Sequence, residues 1–158
     1  MGGSVMAKLP IIEAGSPVLK AQAKPVPTIT KHIKKLLDDM AETMYAANGV
    51  GLAAPQINES LQLVVLDDGN GLIELINPEI LETSTEMEED IEGCLSVPGY
   101  YGTVKRYSKI KVKSLNRKGK VVYYEPEHFL ARIFQHEIDH LKGTLFIEKA
   151  ENIRKVTE

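Results

Sequence analysis

The chain lacks the features that would place it in several broad classes. Its 158 residues include one cysteine, Cys94, so no disulfide can form within it. That fits a reducing compartment and leaves Cys94 as a small hydrophobe, a metal ligand or a reactive thiol. No apolar segment approaches the length of a membrane-spanning helix. The start, Met1-Gly2-Gly3-Ser4-Val5, has neither the basic residues nor the apolar run of a signal peptide. Residues 1–5 resemble an expression scar ahead of a native start at Met6. There is no long basic run and the net charge is −3, so neither nucleic acid nor a membrane is an expected partner. Internal repeats, low-complexity segments and linkers are missing as well. What remains is 43% hydrophobic residues, enough to build a core, in a length that suits one domain over residues 1–158.

Taken in order, residues 7–27 are broken by Pro10, Pro17, Pro25 and Pro27 and predict an extended arm. An amphipathic helix follows, capped by Thr28 or Thr30. Ile33, Leu36, Leu37, Met40 and Met44 repeat on its inner side, and Asn48-Gly49 ends it. Residues 49–56 are small and apolar and predict a tight loop in which glycine permits close backbone approach. A strand over 61–66 and a turn at 67–71 lead to a second strand over 72–76, stopped by Asn77-Pro78. Residues 80–91, 103–114 and 120–124 predict further strands, the last two joined by a turn at 116–119. A second helix runs from near Pro126 to Lys142, with Gly143 as its stop. Strands in the middle and helices early and late argue an α+β fold.

Within the second helix lies Gln135-His136-Glu137-Ile138-Asp139-His140. Residues four apart share a helix face, so His136 and His140 can offer two imidazoles to one metal ion. Glu137 follows the first of them, where a carboxylate reaches a metal-activated water. A solvated helix face is the plainer alternative. Against it, Leu130, Ile133, Phe134, Ile138 and Leu141 surround the motif at helical spacing, and a charge inside an apolar stripe is costly. Arg132, Gln135, Asp139 and Lys142 are expected on an opposite, polar side. A catalytic zinc-type site needs a third protein ligand. The protease pattern with a third histidine six residues on meets Phe146 here. Glu148 and Glu151 are possible in principle, with little chain to bring them back. Cys94, upstream in a short glycine-bounded loop, is the better candidate.

Three blocks together resemble the peptide deformylase family: Gly49-Val50-Gly51-Leu52-Ala53-Ala54-Pro55-Gln56, Glu92-Gly93-Cys94-Leu95-Ser96, and the Gln135–His140 block. They stand in the family's order and rough spacing, and the resemblance runs from about Pro17 to Phe146. It implies antiparallel strands surrounding a central helix that carries the H-E-x-x-H motif, with one N-terminal amphipathic helix. It also implies a metal-dependent hydrolase that removes the N-formyl group from the formyl-methionine of newly made polypeptides and releases formate. Cys94, His136 and His140 would be the ligands of one divalent metal ion, natively Fe2+, with Zn2+, Ni2+ or Co2+ as substitutes. Partners would be N-formylmethionyl nascent peptides, with transient contact at the ribosome exit. The setting would be the bacterial cytoplasm, and a processed organellar form would look the same.

Roles follow for the remaining residues. Glu137 would act as general base and then acid, its pKa raised by desolvation. The Gln56 amide and the Leu95 backbone N–H would stabilise the oxyanion. An extended peptide would pair with backbone at Gly49, Val50 and Gly51 on one side and Gly93 on the other. By resemblance Phe129, Leu130 and Ile133 would line the methionine pocket, although ordinary core packing accounts for them equally well. Arg106 is expected to pair with Glu92 or Asp139. The chain departs from the family at Tyr101, where some members have arginine, and at Lys105, where proline is common. A small zinc endopeptidase using Glu148, and an inactive binding protein that keeps the fold, are the competing readings.

Overall fold

The computed structural model describes residues 8–156; the expected scar at residues 1–5 and the start at Met6 lie outside them. The first helix, α1 (Lys31–Ala46), begins at the second of the two candidate caps. Thr30 Oγ1 accepts the N–H of Ile33 at 3.3 Å. It stops where Asn48 turns left-handed (φ 58°) and the Gly49 N–H bonds back to the Met44 carbonyl.

Residues 49–56 are not a simple loop. They form a short strand, β1 (Gly51–Ala53), and a single 3-10 turn, Ala54–Ile57. Glycine and alanine are poor strand formers. What makes the strand is its antiparallel partner, β2 (Leu63–Leu66). The next strand, β3 (Ile73–Thr83), runs straight through the expected stop at Asn77-Pro78. Asn77 takes φ 52° and the register slips between Ile76 and Glu79, a bulge that accommodates a proline with no N–H to give.

Two stretches expected as single strands are each cut by a serine corner. Residues 80–91 divide between the end of β3 and β4 (Met87–Cys94). Residues 103–114 divide between β5 (Val97–Tyr107) and β6 (Ile110–Leu115). At the cut, the Ser84 N–H bonds Lys109 O, the Ser108 N–H bonds Glu86 O, and the two hydroxyls lie 3.2 Å apart. Serine that satisfies backbone groups locally releases the chain from the ladder. The hairpin from β6 to β7 (Val121–Tyr124) forms as expected. The second helix, α2 (His128–Leu141), is followed by Gly143 at φ 79°. Beyond Phe146 the chain adds a strand β8 (Glu151–Lys155) to β5.

All strand pairs are antiparallel. The order is β1-β2-β3-β6-β7 in the larger sheet and β4-β5-β8 in the smaller, so β1 and β4 each end a sheet. Alternation along β2 explains the layering. Leu63 and Val65 pack with Leu36, Met40 and Met44 of α1, while Val64 and Leu66 pack with Phe134 and Ile138 of α2. Full burial of each such side chain stabilises by about 1.5–3 kcal/mol.

The expected polar side of α2 is not solvated. Arg132 and Gln135 are buried, Asp139 is half-buried, and only Lys142 is exposed. Gln135 bonds both backbone groups of Tyr107, and Arg132 bonds the carbonyls of Val104 and Glu88. The helix therefore packs its apolar side on the larger sheet and hydrogen-bonds its polar side to the smaller. Among the described residues no helix is long and apolar enough to cross a membrane.

Candidate active site

Helical spacing places His136 and His140 on one side of α2, their ring centroids 5.2 Å apart. Strand β4 ends beside them and delivers Cys94. Its Sγ lies 3.2 Å from His140 Nε2. One donor atom from each of Cys94, His136 and His140 falls within 4.8 Å of the others, the only such cluster among the described residues. The competing third ligands are elsewhere. Glu148 pairs with Lys20 and accepts the Leu145 N–H, and Glu151 is exposed on β8. Phe146, where the protease pattern would need histidine, instead stacks on the His136 ring at 6.0 Å.

The donor set fits a divalent metal. Glu92 Oε1 bonds His136 Nδ1 at 2.8 Å, which leaves Nε2 as the free donor. Gln56 Nε2 lies 3.5 Å from Cys94 Sγ and 3.1 Å from Ser96 Oγ, and Gln56 Oε1 accepts the Ala53 N–H. Two buried polar atoms here have no hydrogen-bond partner among the described residues, Glu137 Oε1 and His140 Nδ1. A thiolate and two imidazoles suit zinc or ferrous iron.

Electrostatics follow from burial and from Glu92. Burial raises Glu137 to about 7, against the opposing pull of His136. Burial would raise Glu92 as well, but hydrogen bonds from Arg106 and His136 hold it well below the usual carboxylate range. Burial would lower His136, yet hydrogen bonds to Cys94 and Glu92 bring it up to about 10. Burial, together with the charges of His136 and Arg106, lowers His140 to about 3. Arg106 does not choose between its two expected partners. Its Nε and Nη2 hold Glu92 at 2.9 Å each, and its Nη1 holds Asp139 at 2.6 Å. The composition gave no sign that Arg132 joins this group, with Nη1 2.6 Å from Glu92; its place one helical turn before His136 was the available signal.

Cys94, His136 and Glu137 line a cavity of about 430 Å³. Gly49, Val50 and Gly51 form one wall, Ile91, Gly93 and Leu95 the other, with His136 and Glu137 between. Gly51 belongs to β1 and Ile91 and Gly93 to β4, each the end strand of its sheet, while Gly49, Val50 and Leu95 lie just beyond the strand ends. Gly51 is required there, since a Cβ would lie 2.5 Å from Glu137 Oε2. Of the three expected pocket residues, Phe129 and Ile133 line the cavity. Leu130 does not; one step around the helix, it packs against the core of the larger sheet. Tyr101 and Val97 line it too.

Fold and site together define an α+β enzyme with a candidate Cys-His-His metal centre in a peptide-sized cleft. Comparison with known proteins agrees. The family model for polypeptide deformylase matches residues 8–156. The peptide deformylase of Carboxydothermus hydrogenoformans is 61% identical over 148 residues, covering 94% of this chain and 97% of its own length. The crystal structure of the peptide deformylase from Thermotoga maritima superposes with a TM-score of 0.89 at 46% identity, covering 94% of this chain and 99% of that one. A peptide deformylase from Synechococcus elongatus, solved with actinonin, gives 0.88 at 38% identity over 95% of this chain and 85% of that one. The chain belongs to the polypeptide deformylase family. Membership makes it an enzyme and implies removal of the N-formyl group from nascent peptides.

Proposed function

We propose that this chain, as one catalytic domain, hydrolyses the formyl amide of N-formylmethionyl peptides with a divalent metal held by Cys94 Sγ and one nitrogen each of His136 and His140. Strands on both sides of α2 hold that helix as the centre of the site. The observation that carries the reading is Glu137. Its Oε1 is buried with no hydrogen-bond partner among the described residues, and Glu137 lines a cleft bordered by β1 and β4, the end strands of the two sheets.

When bound, the metal supplies Lewis-acid chemistry, acidifying water and polarising a carbonyl, and Fe2+ suits the softness of the thiolate. The rest is done by the chain. Glu137, poised near neutrality, takes a proton from the attacking water and passes it to the leaving amine. Gln56 is a neutral amide, so it donates to the developing oxyanion without competing as a ligand, and the Leu95 N–H serves as a second donor. An extended peptide pairs with the edges at Gly49, Val50, Gly51 and Gly93, and its methionine enters between Phe129 and Ile133. The bacterial relatives and the nascent-chain substrate support work in the cytoplasm near the ribosome exit.

Turnover of formyl-Met-Ala-Ser, assayed anaerobically with Fe2+ and separately with Zn2+, Ni2+ or Co2+, tests this. Formate release is expected. No release with any of these metals would sink the proposal.

A further inference from the structure

One face of the smaller sheet reaches the cleft beside Gly93. On it Ile91 stands opposite Thr103, and Tyr101 stands opposite Arg154 of β8. Gly93 shares that face, because a Cβ built on it would lie 2.6 Å from Cε1 of Tyr101 and 2.8 Å from Cδ1. The tyrosine ring therefore covers the gap that glycine leaves. Tyr101 is 42% exposed and Ile91 55% exposed, and both line the cleft.

β4 ends its sheet, so a peptide strand added at Gly93 becomes the next member of the row Gly93-Tyr101-Arg154. Gly93 contributes no side chain to that row. A peptide side chain on this face therefore meets the tyrosine ring across the glycine, flanked by Ile91. Cross-strand aromatic and apolar pairs are favourable, and an aromatic ring over a glycine is a stabilising pairing in sheets. Arg154 lies three strands away from such a peptide, roughly 14 Å at normal strand spacing. Its charge is screened at that distance in physiological salt.

We infer that Tyr101 is a specificity-determining residue. It selects an apolar or aromatic side chain at one of the two residues that follow the formylated methionine. The inference rests on the cleft being a formyl-peptide site.

The test compares kcat/KM for formyl-Met-Ala-Ser with formyl-Met-Phe-Ser, formyl-Met-Glu-Ser, formyl-Met-Ala-Phe and formyl-Met-Ala-Glu. Phenylalanine should be preferred over alanine by about three-fold at one of the two positions, the size of one cross-strand pair, and chiefly through KM. Glutamate should show no gain. Tyr101→Phe should keep the preference, and Tyr101→Ala, checked for folding by circular dichroism, should abolish it. Calorimetric binding of Met-Phe-Ser, Met-Ala-Phe and Met-Ala-Ser reads the same discrimination without turnover. Turnover with preferences that do not depend on Tyr101 overturns the subsite alone. Absence of turnover with Tyr101-dependent binding overturns the proposed activity alone. Absence of both overturns both.

Discussion

Glu92 Oε1 accepts a hydrogen bond at 2.8 Å from Nδ1 of His136, while the same carboxylate is held by Arg106 and Arg132. All four side chains are buried or nearly so. One carboxylate thus orients an imidazole and hydrogen-bonds two guanidinium groups, while Asp139 supplies a second negative charge to Arg106. Replacing Glu92 with glutamine should leave Arg132 without a carboxylate and Arg106 with Asp139 alone. A stability loss of about 3 kcal/mol is expected in urea. Metal affinity should fall roughly 10- to 100-fold, as when a ligand's orienting partner is lost. Unchanged denaturation and metal titration would remove Glu92 from this role.

The same carboxylate sets an acid limit. Its folded pKa is depressed below the ordinary 4.5. The stability it contributes is therefore fully present above about 4.5 and is lost as pH falls through the folded value. Glu92 should add no pH dependence to the urea midpoint between pH 5.5 and 7, and the midpoint should decline below 4.5. The Glu92→Gln protein should lack this part of the decline; an identical acid profile in both would assign it to another group.

Glu137 should separate chemistry from metal binding. Glu137→Ala is expected to keep its metal, measured by elemental analysis, and to lose about 10²- to 10⁴-fold in kcat. Gly51→Ala attacks the same carboxylate from the neighbouring strand, since the new methyl would sit 2.5 Å from Oε2. A fall of roughly 100-fold in kcat with normal circular dichroism is expected for a displaced carboxylate. Metal loss in Glu137→Ala would make it a ligand instead.

Metal and proton should compete at His136. With its pKa brought up to about 10 by Cys94 and Glu92 against burial, the ring is protonated at pH 8. Loading the metal-free protein with Zn2+ at that pH should release protons, visible as a binding enthalpy that varies with the ionisation enthalpy of the buffer. Cys94→Ser should weaken loading. Buffer-independent heats would contradict the assigned protonation.

Gly143 ends α2 at φ 79°, and a Cβ there would run into the carbonyl of Lys20. Gly143→Ala should cost about 2–3 kcal/mol, from left-handed strain plus the clash. Thermal unfolding measures it directly. A change under about 0.5 kcal/mol would mean that the segment around Lys20 shifts freely.

Much of this was legible in the chain. The cap at Thr30, the end of α1 at Asn48-Gly49, the stop at Gly143 and the pairing of His136 with His140 depend on residues within a turn or two of each other. Local spacing decides such features. The polar side of α2 is not legible locally, for the opposite reason. Arg132 and Gln135 carry the residue types of a solvated face, and only the presence of Val104 and Tyr107 on a second sheet buries them. The same holds for Gly51 to Ala53, which become a strand because β2 lies alongside. Sequence alone leaves Phe129, Leu130 and Ile133 open between pocket and core, and one step of helix rotation sends Leu130 into the core.

By itself, then, the sequence determined the donor types, their helical geometry and the α+β class. Those follow from periodicity and backbone preference, which act over a few residues. Tertiary structure decided how the donors are held. Glu92 meets His136 across 44 residues of chain and Cys94 meets His140 across 46. No local rule reaches that far; both contacts exist because β4 of the smaller sheet packs against α2.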